Sequence, residues 1–270
     1  MQKRTRSQVI KGGERNRTRF DSRQLKVMNM FFKTKDSIPE GLGFSTFDLT
    51  HIAWLLIGVL LCVGACVFYK KLSARGQKIM LTSLGVYIFF QEMLKNVVVA
   101  SVGEFSWGYL PFHLCGINIL LIFFDTIKQT KIVRNFLYYF GIPGAALALI
   151  FPNWTSQPVW NFFHLHSFTI HILIVMYPLI LVTSGQVEMN IKSAFKSLIL
   201  LVGFAIPVYF LNLLWDTNFM FLMESDSGNP LEFFENLLGS HLWGFPILLP
   251  VVIFIMYLPI LIVKKAKYRS

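Results

Sequence analysis

The sequence predicts an all-α fold: a polytopic membrane helical bundle with about seven transmembrane helices. Three observations carry that prediction. Of 270 residues, 54% are hydrophobic and only 14% charged, where a soluble domain averages about 25% charged. Apolar runs of roughly 20 residues, the length a helix needs to cross a hydrocarbon core of about 30 Å, recur along the whole chain. The 25 Lys and Arg, source of a net charge of +11, lie, Lys95 apart, in the amino tail, in short loops between the runs and in the carboxyl tail. This pattern excludes an ordinary soluble enzyme and a nucleic-acid reader. Three Cys, with Cys62 and Cys66 inside one run, cannot build a disulfide framework.

The runs place spans at 48–69, 78–100, 109–127, 132–152, 162–184, 193–214 and 243–263. The first is too long for a signal-peptide core and lacks a small-residue cleavage site, so it reads as a retained helix. Prolines 143, 178, 207, 246 and 250 fall inside spans, where neighbouring helices can satisfy the freed carbonyls. Lys70, Lys71, Arg75 and Lys78 follow span one; Lys128, Lys131 and Arg134 follow span three; Lys192 and Lys196 follow span five. With Lys264, Lys265, Lys267 and Arg269 these make thirteen cations on one side, against none in 101–108, 153–161 and 215–242. The positive-inside rule then puts the carboxyl end in the cytoplasm and the amino end outside a cell membrane.

The domain expectation follows. Residues 1–46 form a basic, disordered amino tail, 47–264 the seven-helix membrane domain, and 265–270 a cytoplasmic tail. The tail's eleven Lys and Arg conflict with an external amino end. Either a true start lies near Met28 or Met30, or the segment binds anionic lipid or another polyanion.

Polar residues inside a membrane are costly and mark either function or a satisfied structural network. At a rise of 1.5 Å per residue, depths from the outer boundary come to roughly 5 Å for His51, 8 Å for Lys95, 9 Å for Cys115, 12 Å for Glu92 and 15 Å for His171. The outer half therefore holds a polar layer, and the inner half reads as dry apart from Asp125 and Asn135 near its edge. Glu92, Lys95 and Asn96 share one face of span two, as an ion pair that pins packing or as a cavity lining in which Lys95 holds a phosphate or carboxylate. Span three opens Pro111-Phe-His113-Leu-Cys115-Gly116-Ile-Asn118. A thiol in a first helical turn sits at the positive dipole end, and Gly116 beside it suggests room for a ligand. On span five, His164, Ser167 and His171 form one stripe while His166 points elsewhere. Asn212, Asp216 and Asn218 lie at the outer end of span six, followed by a loop rich in acids.

A Cys near the start of span three, His171 with Pro178 seven residues on, and Thr217-Asn218-Phe-Met-Phe-Leu together resemble the YwaF-like integral membrane proteins. These form the bacterial branch of the transmembrane protein 164 acyltransferase family. The likeness spans roughly 42–263. It implies a seven-helix acyltransferase with a Cys nucleophile and a His partner, here Cys115 and His171, and motif residue Asn218. In animal members it implies transfer of a fatty acyl group between a phospholipid and a lysophospholipid through an acyl-enzyme. Those members carry a His directly after the Cys, whereas here Gly116 follows it and His113 precedes it by two. On this reading His171 or His164 moves the proton, Lys95 and Glu92 face the lipid headgroup, Asn118 or Asn218 steadies the oxyanion, and Asn212, Asp216 and His113 border the site. No cofactor, metal or nucleic-acid partner is expected. Two other classes fit the same residues: a carrier or proton-coupled transporter built on Glu92 and Lys95, and a metal-dependent membrane hydrolase using His113, His164, His171 and Asp216.

Overall fold

The computed structural model describes residues 30–225 and 230–267. Residues 1–29 of the expected tail and 268–270 at the carboxyl end lie outside the described residues. Every expected span coincides with a helix: α1 Leu49–Lys71, α2 Ala74–Ser101, α3 Leu114–Ile127, α4 Lys131–Ile150, α5 Phe162–Thr183, α6 Ile191–Trp215 and, after a short α7 Pro230–Leu238, α8 Gly244–Lys267. Among the described residues five of these are long and apolar enough to cross a membrane. The 14-residue α3 is shorter, and the 28-residue α2 carries Gln91, Glu92, Lys95 and Asn96 within its length.

Local chemistry sets the helix ends. Asp48 caps α1 by accepting from the His51 amide at 2.8 Å, and Asn161 caps α5 through the amides of Phe163 and His164. Asn190 and Ser193 cap α6 reciprocally, as a capping box does. Pro143 has no N–H to offer the carbonyl of Tyr139, and α4 widens there into a π turn over Leu137–Gly141. The hydroxyl of Tyr138, from that turn, donates to the Met256 carbonyl of α8 at 2.5 Å.

Helix α5 is the centre of the bundle. It packs against α1, α2, α3 and α4, and Phe168, Ile174, Ile180 and Leu181 on it are fully buried. By contrast α6 and α8 expose Phe210, Leu214 and Phe254 outward. A surface of that kind suits lipid rather than water.

Residues 30–48 form a strap across the end of the bundle where α1 and α5 begin. Asn161 donates to the carbonyls of Met30 and Lys33, both at 2.8 Å. Phe44 wedges beside His164 and Phe168. The backbone at Gly43 lies so close to Thr155 that a Cβ would fall 1.8 Å from its carbonyl oxygen. Ser37 and Thr34 donate to Glu104 and hold its carboxyl below the usual range.

The opposite end holds more polar chemistry than the exceptions of Asp125 and Asn135 allowed. Asp125 is fully buried there, and both its oxygens accept from Nε of Arg134 at 3.0 Å. The Tyr177 hydroxyl adds a second donor at 3.0 Å. Arg134 Nη1 reaches Gln186 at 2.7 Å, and Gln186 in turn donates to the Tyr69 hydroxyl at 3.0 Å. A buried carboxylate demands such partners. Arg134, read from sequence as a loop cation, is therefore an ion-pair partner within the bundle.

Candidate functional site

The site is built where α2, α3 and α5 meet, at the strap end. Helix α3 begins after His113, whose carbonyl accepts the first helical amide, from Ile117, at 3.0 Å. Cys115 is thus the second helical residue, partly exposed and free of any disulfide. The amides of a first helical turn have no intrahelical acceptor, so those of Cys115 and Gly116 remain as donors beside the thiol. Gly116 does not leave room for a ligand, as the sequence suggested. A Cβ there would lie 2.6 Å from the Cα, carbonyl carbon and oxygen of Pro111; the glycine lets the incoming chain fold onto the helix.

On α2, Nζ of Lys95 donates to Glu92 at 2.5 Å and to the Tyr109 carbonyl at 3.2 Å. The pair is mostly buried, with side chains 17% and 5% exposed. Helix α2 packs on both α3 and α5, so the pair lies on the helix that joins the one bearing Cys115 to the one bearing His166 and His171. His166, which the helical stripe placed elsewhere, is buried in this cluster with Nε2 unpartnered. Its signal was Lys95 at similar depth on the neighbouring span.

His171 lies with its ring stacked on Trp154, centroids 5.1 Å apart. Its Nδ1 lies 2.7 Å from the Ser167 carbonyl. A carbonyl only accepts, so the proton is on Nδ1 and Nε2 keeps its lone pair. His164 has no such freedom. Trp54 donates to its Nε2 at 3.0 Å, and its Nδ1 donates to the Gln157 carbonyl at 3.2 Å. Among the described residues no imidazole hydrogen-bonds the Cys115 thiol.

Two amides deepen the polar layer. Asn118, one turn beyond Cys115, is fully buried with both side-chain atoms unpartnered, its Oδ1 facing Gly141 of the π turn. Asn96 has an unpartnered buried Oδ1. Such atoms cost about 1–3 kcal/mol each when left unsatisfied, so they are groups poised to take a hydrogen bond.

The remaining expected residues stand apart from the thiol. Asn212, buried, accepts from Phe219 N at 2.8 Å and the Thr217 hydroxyl at 2.9 Å, and donates to Phe219 O at 3.0 Å. Asn218 closes its own loop on Met223 and Glu224. Asp216 is exposed and, with Asn218, Trp107 and Trp215, lines a surface cleft of about 440 Å³. His113 accepts from the Met220 amide at 3.3 Å. Among the described residues no three of His, Cys, Asp or Glu gather to hold a metal ion.

Compared with known families, residues 44–259 match the TMEM164 family. No curated protein and no solved structure matches the chain.

Proposed function

The chain belongs to the TMEM164 family, and from that premise we propose that it is an integral membrane acyltransferase that moves a fatty acyl group between lipids through a thioester on Cys115. The observation that carries this reading is the meeting of three helices. These helices pack on one another and carry a first-turn thiol, the Glu92–Lys95 pair and an imidazole whose Nε2 keeps its lone pair.

The chemistry runs in two halves. In the first, the Cys115 proton passes to Nε2 of His171, directly or through one water, and the thiolate attacks an ester carbonyl of the donor lipid. The amides of Cys115 and Gly116 face the developing oxyanion at the positive end of α3. The tetrahedral adduct collapses, the C–O bond breaks, and the departing lysolipid oxygen takes the proton back from His171. In the second half, the acceptor lysophospholipid hydroxyl gives its proton to His171 and attacks the thioester. The C–S bond breaks, and the thiolate is reprotonated. No oxidant, reductant or nucleotide is consumed.

Lys95 serves as the counter-charge for a lipid phosphate, with Glu92 fixing its position, and Asn118 supplies a further hydrogen bond. His164, with both nitrogens engaged, supports the site by anchoring α1 and the Gln157 loop. The cation asymmetry of the loops supports a position for this layer in the outer leaflet of a cell membrane, with the carboxyl end in the cytoplasm. At that depth a glycerol ester can reach the thiol without leaving the bilayer.

The test is a reconstituted transfer assay in proteoliposomes, with phosphatidylcholine labelled in its acyl chains as donor and a lysophospholipid as acceptor. Label should appear in the acceptor lipid with wild type and fall to background with Cys115→Ala. Equal transfer by Cys115→Ala would overturn the reading.

A further inference from the structure

The turn after α6 carries unusual backbone strain. Asp216, Met220 and Phe221, none of them glycine, all have positive φ, at 51°, 58° and 55°. Such conformations cost of order 1–3 kcal/mol each and persist only where the surroundings over-determine them. Here the determinant is Asn212. It is 1% exposed, and its amide spends its hydrogen bonds on this turn: both backbone groups of Phe219 and the hydroxyl of Thr217.

The clamped turn reaches the start of α3 through a hydrogen bond. The Met220 amide donates to Nδ1 of His113 at 3.3 Å, and Phe219 and Phe221 pack on the His113 ring at 5.3 and 5.7 Å. His113 immediately precedes α3, two residues before Cys115. The lead-in to that helix is held by the same end of α6, with Trp107 stacked on Trp215 at 5.1 Å and Phe112 packed on Phe219. Pro111 is folded onto Gly116, so a shift of the lead-in would carry the first turn with it.

We propose that Asn212 is a positioning residue for the Cys115 thiol, acting through the strained Asp216–Phe221 turn and the Met220–His113 hydrogen bond. This rests on the acyl-transfer reading for its purpose, though not for its geometry. The backbone strain is retained because the turn must present one amide to His113 while its two Phe rings grip the same imidazole.

The experiment measures the alkylation rate of Cys115 by N-ethylmaleimide in full-length protein with Cys62 and Cys66 changed to Ala, alongside the transfer assay. Alkylation needs no acyl transfer, so the two failures are distinguishable. Asn212→Ala and His113→Phe should each change the rate by about five-fold or more, and the double variant should match either single, the coupling expected within one network. His113→Asn, which keeps an acceptor at the Nδ1 position, should restore the wild-type rate. Additive effects, or a wild-type rate in both His113→Phe and Asn212→Ala, would overturn the proposal. Should Asn212→Ala not accumulate in membranes, His113→Phe against His113→Asn decides: equal rates overturn the proposal, and a rescue by Asn upholds it. Coupled alkylation with no transfer in any form would leave the positioning intact and sink the acyl-transfer reading alone.

Discussion

The carbonyl of Ser167 accepts from Nδ1 of His171 across one helical turn, and this single contact fixes which nitrogen can act as a base. Stacking on Trp154 holds the ring plane as well. His164, two turns earlier, shares the stripe in the sequence, since three-residue and seven-residue spacing puts both on one face. The indole of Trp54, 110 residues away, is what separates them, and no spacing rule reveals a donor on another helix. At this scale the prediction concerns His171→Gln, whose amide occupies the Nε2 position as a donor or acceptor without basicity. Steady-state transfer should fall by about 100-fold or more, while the protein still folds and extracts normally. His164→Gln should instead lower thermal stability in detergent more than it lowers transfer per folded molecule. A His171→Gln enzyme at full rate would remove the base from the mechanism.

The helices were the legible part of the chain. Each apolar run became a helix within a few residues because the length of a bilayer-crossing segment is dictated by hydrocarbon thickness. The π turn in α4 was less visible: Pro143 announced a fault in the helix, but whether it kinks or widens depends on what packs against it. The Asp125–Arg134 pair was missed for a different reason. Its partners straddle the loop between α3 and α4, four residues before its centre and five after, so the antiparallel hairpin brings them close to level; reading Arg134 as a loop cation hid that near-symmetry. Asp125→Asn, which leaves the buried guanidinium without its counter-charge, should cost about 3–5 kcal/mol. Thermal melting in detergent would register that loss, whereas an unchanged melting temperature would mean that the pair is replaceable by solvent at that end.

On the scale of the whole molecule, polar chemistry is split between two ends that do different work. At the basic end, Asp125, Arg134, Tyr177 and Gln186 largely satisfy one another, which is the signature of a lock. At the strap end, Asn96, Asn118 and His166 keep unpartnered buried atoms, which suits a layer that takes a polar guest. The sequence displayed Asn96 and Asn118, because they cluster by depth, but turned His166 elsewhere, and it could not rank the polar residues: Asn212 and Asn218 looked alike, and only the fold shows one clamping a strained turn and the other closing an exposed loop. The central claim is that Cys115 carries the acyl group between donor and acceptor. Mass spectrometry of the intact protein taken directly from membranes tests it most directly. The account predicts an added mass of one fatty acyl chain on Cys115, removed by neutral hydroxylamine and absent from Cys115→Ser; a Cys115 that stays unmodified in the presence of donor lipid without acceptor would contradict it.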